Sequence, residues 1–155
     1  MKIVPRLAVG LVLGAAALLL GGCAGLGSSD GGGKRAEVVS AALSQVGTPY
    51  RYGGTLPGRA LDCSGLTRYA YQRAGVSIPR MSLDQLHAAR PVRPDALRPG
   101  DLVFFHTSPG VHHVGLMVDR DRFVHASTSK HRVGLTRLHT PYWRARYVGA
   151  GSYLD

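Results

Sequence analysis

The sequence predicts a single α+β domain, with helices from its first half packed on one antiparallel sheet of about five or six strands. Three observations lead there. A length of 155 residues is room for one domain. Apolar residues recur at helical spacing up to about Ala89. Beyond Pro99-Gly100 the texture turns to short runs rich in Val, Leu and Phe, separated by turn residues. The 45% apolar and 18% charged fractions exclude a chain disordered throughout. The 21 glycines show no three-residue period, which excludes collagen.

Residues 1–22 read as a signal peptide lying outside the fold. Lys2 and Arg6 form a positive start, and an uncharged stretch from Leu7 ends in Leu20-Gly21-Gly22-Cys23. That ending resembles the bacterial lipobox, which implies cleavage before Cys23 and lipidation of its thiol. A plain transmembrane anchor is the alternative, but the strongly apolar run from Leu7 to Leu20 is shorter than the roughly 20 residues needed to span. Residues 23–34 then form a lipidated cysteine and a flexible tether of small polar residues, and residues 35–155 form the domain. Lipidation leaves Cys63 as the only free thiol in an oxidising compartment, where an unpaired thiol is a liability unless it has a task.

Within the domain, Val38, Val39, Ala42, Leu43 and Val46 predict a helix over Arg35 to Val46, stopped by Gly47-Thr48-Pro49. Tyr50 to Leu61 reads as an irregular loop set by Gly53-Gly54 and Pro57-Gly58. Cys63 to Ala74 predicts a second helix with Cys63, Leu66, Ala70 and Ala74 on one face and Gly75 as its stop. Ser82 to Ala89 predicts a short third one. Strands are expected at Asp101–His106, His113–Val118, Arg122–Ala126 and Val133–Leu138, with a last one within Arg146–Tyr153.

The formal charge of +10 favours an anionic partner: nucleic acid, anionic lipid or an acidic polymer. An export signal speaks against nucleic acid. Asp62-Cys63-Ser64-Gly65-Leu66 places a thiol in the first turn of a helix, where backbone N–H groups and the helix dipole favour the thiolate. Taken alone, Cys63 could equally be an inert buried thiol. A cysteine nucleophile needs a base, usually histidine. His113 follows fifty residues later and His125 twelve after that, an interval that one hairpin turns into side-by-side positions. One imidazole can act as base while the other orients it. A catalytic metal is not expected, because there is no His-x-x-His or Cys-x-x-Cys spacing and Glu37 is the only glutamate.

The order Asp62-Cys63-Ser64-Gly65-Leu66, then His112-His113-Val114-Gly115-Leu116, then Phe123-Val124-His125-Ala126-Ser127 resembles the NlpC family of bacterial cell-wall cysteine peptidases. The likeness extends to Thr48-Pro49-Tyr50 with Gly53-Gly54, Ile78-Pro79-Arg80 with Gln85, Leu97 to Val103, and Pro141-Tyr142-Trp143 with Arg146-Tyr147. It implies a compact papain-like fold and looks closest to Gram-negative lipoprotein endopeptidases that cut peptidoglycan cross-links. By position it implies Cys63 as nucleophile, His113 as general base and His125 as the orienting third member. It also implies that Tyr50 faces the nucleophile and that Asp62 and Ser64 line its site, although Tyr52 two residues on leaves the tyrosine assignment open. Arg80 and Gln85 read as structural ties for the short helix, and Tyr142 and Trp143 as packing. The doubled His112-His113 is the one departure seen. The expectation is a monomeric, lipid-anchored peptidoglycan endopeptidase without cofactor, on the periplasmic face of the envelope. Ala24 in place of Asp favours the outer membrane. The alternatives are a catalytically silent wall-binding lipoprotein, or a thiol amidase or acyltransferase acting on another substrate.

Overall fold

The computed structural model describes residues 30–155, so the expected signal peptide and Cys23 lie outside the described residues. The chain opens with α1 (Asp30–Leu43), a small hairpin of β1 (Thr55–Leu56) and β2 (Ala60–Leu61), and α2 (Cys63–Arg73). It continues through α3 (Ser82–Ala88), β3 (Arg90–Pro91) and a 3-10 turn at Pro94–Ala96. The second half is β4 (Leu102–Ser108), β5 (Val111–Met117), β6 (Arg122–Ser127), β7 (Arg132–Arg137), α4 (Pro141–Arg144) and β8 (Tyr147–Ser152). Six strands form one sheet in the order β3-β8-β4-β5-β6-β7, and every pair is antiparallel. The expected α+β architecture is the one observed.

Alternation along the strands divides the core into two layers. Leu102, Phe104, Val114, Leu116, Val124 and Ala126 face α1 and α2, meeting Val38, Ala42, Leu66, Ala70 and Tyr71. Val103, Phe105, Met117 and Phe123 point the other way, onto Leu138, Trp143 and Ala150. Both faces of the sheet are therefore covered, which is why its strands read as near-continuous apolar runs rather than as strict alternation.

Three features that shape the fold differ from the sequence reading, besides the short β1–β2 hairpin inside the expected irregular loop. The first helix starts at Asp30, running through Gly31–Gly33 and overlapping the expected tether by five residues. Three glycines oppose a helix by about 1 kcal/mol each relative to alanine, but Arg35 fixes the turn that follows them. Its buried guanidinium donates to Asp101 Oδ1 at 2.8 Å, to the Pro99 carbonyl at 2.9 Å and to Ser152 Oγ at 3.3 Å, tying α1 to both β4 and β8. Second, Arg90–Pro91 pairs with β8 as an edge strand, the one place in a sheet where proline loses no ladder bond. Third, Pro141–Arg144 forms a one-turn helix that brings Trp143 under the sheet.

Candidate active site

Helix α2 begins at Cys63 because Asp62 caps it. The Asp62 backbone is extended (φ −95°, ψ 179°), and its Oδ1 accepts from the Gly65 N–H at 2.6 Å. Gly65 is required for this start, since a Cβ there would run into the Gly54 carbonyl of the preceding loop. Arg80 holds the cap from outside. Its Nη2 donates to Asp62 Oδ2 at 2.7 Å and its Nη1 to Ser64 Oγ at 2.8 Å. Gln85, fully buried on α3, donates from Nε2 to the Ser64 carbonyl at 3.1 Å and to the Pro79 carbonyl at 2.8 Å, while its Oε1 accepts from Thr67. Arg80 and Gln85 thus tie α3 to the first turn of α2. The polar atoms of Asp62 and Ser64 are engaged in the same network.

The thiol of Cys63 reaches the sheet where two strands part. β5 pairs with β6 at Leu116↔Val124 and Met117↔Phe123, after which its N-terminal half separates from β6. The backbone N–H of Val114, in that half, lies against the Cys63 thiol, as does the N–H of Ser64. Val114 follows His113 directly, so the cysteine meets β5 one residue along the chain from that histidine.

His113 and His125 come together as the hairpin spacing requires. His113 Nε2 and His125 Nδ1 are 2.8 Å apart, with the rings nearly perpendicular at 88°. His113 and His125 lie on one face of β5 and β6 just beyond the last paired residues, Leu116↔Val124, with Gly115 between His113 and Leu116 on β5. Gly115 is needed there because the Phe123 ring occupies the space a Cβ would fill. Trp143 walls the pair. Its ring stacks on His113 (5.7 Å, 19°) and meets His125 edge-on (5.2 Å, 85°). The sequence marked Trp143 as packing, and what it packs against is both imidazoles.

Burial governs the protonation states. It lowers His113 to about 4. It lowers His125 to about 3, with the positive charges of His113 and Lys130 adding to the effect. Burial also pushes the Cys63 thiol up, and the Asp62 carboxylate adds to that rise, against the Val114 and Ser64 amides that favour thiolate. This corrects the sequence expectation of a thiol lowered by its helix terminus: removal from water outweighs the dipole. The resting groups are a neutral thiol and a neutral imidazole. For His113 to accept a proton at Nδ1, its Nε2 must carry the hydrogen and donate to His125 Nδ1. His125 is then the Nε2–H tautomer.

The tyrosine ambiguity resolves geometrically. Tyr50 packs on the core beside Cys63, and burial followed by the charges at Cys63 and Asp62 raises its phenol. Tyr52 is 90% exposed.

The NlpC/P60 family model matches residues 47–152, a span that holds the cysteine, both histidines and Trp143. The chain belongs to the NlpC/P60 family. Among relatives, it is 38% identical over 113 residues to the murein DD-endopeptidase MepH of Escherichia coli (strain K12), covering 70% of this chain and 42% of MepH. It is 43% identical over 97 residues to a probable endopeptidase of Mycobacterium tuberculosis (strain ATCC 25618 / H37Rv), covering 63% of this chain and 24% of that protein. The chain therefore spans a quarter to under half the length of these curated relatives. Among solved structures, the peptidoglycan hydrolase RipB of M. tuberculosis aligns with a TM-score of 0.70 at 29% identity, over 81% of this chain and 67% of RipB. An NLP/P60-family protein of Staphylococcus aureus, described as similar to lipoprotein, aligns with a TM-score of 0.71 at 32% identity, over 79% of this chain and 42% of that one.

Proposed function

We propose that this NlpC/P60 chain is a lipid-anchored cysteine endopeptidase that hydrolyses peptide bonds in peptidoglycan. The observation that carries the reading is the 2.8 Å His113–His125 pair on β5 and β6, together with the cysteine that opens α2, whose thiol meets β5 at the residue after His113. The chemistry follows from the tautomers. The thiol proton of Cys63 passes to His113 Nδ1 as sulfur attacks the carbonyl carbon, and His125 stabilises the imidazolium through its Nδ1 lone pair. Backbone N–H groups at the start of α2 stabilise the oxyanion. His113 then protonates the leaving amine, and water attacking the thioester returns the proton by the same route.

MepH is a murein DD-endopeptidase by name and RipB a peptidoglycan hydrolase, which supports peptidoglycan as the substrate here. The positive charge of the chain suits a polymer that carries carboxylates. Anchoring rests on the lipobox-like Leu20-Gly21-Gly22-Cys23, with Ala24 favouring the outer membrane, and the domain acts as a monomer. A zymogram on purified sacculi, run with residues 23–155 and with the Cys63→Ala variant, tests the activity. Clearing by the parent alone is expected, and equal clearing by the alanine variant refutes it. Lipid labelling that survives Cys23→Ser refutes the anchor separately.

A further inference from the structure

The doubled His112-His113 of the sequence is only half used by the mechanism. Alternation along β5 sends His113 to the Trp143 side and His112 to the side of Val114. There His112 faces His106 directly across the β4–β5 ladder. His106 Nε2 and His112 Nδ1 are 2.9 Å apart, with the rings near perpendicular at 74°, at the surface.

The backbone holds both rings in place. The His106 N–H donates to the Arg146 carbonyl at 2.9 Å, and Ser82 Oγ donates to the His112 carbonyl at 3.2 Å. A change of tautomer at either ring replaces the N–H between them with a second lone pair, and the two lone pairs then face each other. Two imidazole nitrogens bound to one ion at about 2.0–2.1 Å and about 90° to each other are about 2.9 Å apart. That is the separation already present, so a cis pair in a square-planar or tetragonal site needs no change of spacing, only a turn of the rings that aims both lone pairs at one point. Among the described residues no third His, Cys, Asp or Glu completes a cluster, so water fills the other positions.

We propose that His106 and His112 form a two-imidazole site for a divalent d-block ion of tetragonal preference, copper(II) or nickel(II). Its β5 member, His112, stands two residues along the strand from Val114, against whose N–H the Cys63 thiol lies.

The test uses residues 23–155 carrying Cys23→Ser and Cys63→Ala, so that no thiol takes part, after treatment with chelator. Calorimetric titration with nickel chloride is expected to give one equivalent bound, and copper(II) added to the same protein is expected to give an electron paramagnetic resonance spectrum with two-nitrogen coupling. His106→Asn and His112→Asn should each weaken nickel binding by about tenfold or more, since losing even an outer-shell partner has an effect of that size. Both positions are at the surface, so unchanged melting temperatures should accompany the loss. A His113→Asn/His125→Asn variant should bind as the parent does. Absence of nickel binding, equal binding of magnesium, or binding undiminished in either the His106 or the His112 variant overturns the proposal.

Discussion

Acidification should destabilise this domain by an amount set by the His113–His125 pair. His113 is held at about 4 and His125 at about 3, whereas an imidazole in the unfolded chain titrates near 6.5. Between those values the unfolded chain binds protons that the folded chain refuses, so stability rises with pH and is lost as pH falls below 6.5. The slope is about 1.36 kcal/mol per pH unit for each such proton. At pH 5 both histidines are still neutral in the fold, so each has cost about 2 kcal/mol and the pair about 4 kcal/mol. With an unfolding entropy of about 2.1 cal/mol/K per residue and roughly 125 folded residues, that is a fall in Tm of about 15 °C. Stopping at pH 5 keeps the measurement above the range where carboxylates protonate. Thermal melts at pH 7 and pH 5 in chelator-containing buffer read the effect, and the His113→Asn/His125→Asn variant should lose most of the difference. A parent whose Tm moves by less than about 5 °C, or a double variant that falls as far as the parent, refutes the reasoning.

Other consequences can be checked alongside. Iodoacetamide alkylation of Cys63, followed against pH in a Cys23→Ser background, should show no acidic step and should rise only above the ordinary thiol range, because burial pushes this thiol up. A reactivity step near neutral pH would show a thiolate–imidazolium pair instead. His113→Ala should abolish sacculus hydrolysis, while His125→Asn should keep part of it, because an amide oxygen can still accept from His113 Nε2; equal loss in the two variants contradicts these roles. Gly115→Ala should lower stability by about 1–3 kcal/mol, seen as a lower denaturant midpoint, because the new methyl group meets the Phe123 ring. Trp143→Ala should lower it by about 3–5 kcal/mol and reduce turnover as well, since both imidazoles lose their wall. Unchanged kcat in folded Trp143→Ala would limit that residue to packing.

Local rules written into the sequence were enough for the elements that carry the chemistry. Asp62 before Cys63 is a cap signal that acts within one helical turn, so the placement of the thiol at a helix start was legible without tertiary information. The His113–His125 spacing was legible for the same reason, as a hairpin brings near neighbours in sequence together. What the sequence could not contain was anything decided across distance. Inserting β8 between β3 and β4 joins segments roughly forty to sixty residues apart in sequence, and no local pattern records it. A two-residue edge strand containing proline and the one-turn helix that delivers Trp143 are too short for any periodicity to show. The start of α1 depends on Arg35 finding Asp101, Pro99 and Ser152, three partners at the far end of the fold. The protonation of the site differs from the sequence expectation on the same ground. The helix dipole and the neighbouring imidazole can be read from the order of residues, but desolvation depends on how deeply the packed core buries Cys63, His113 and His125, and it is the larger effect at all three.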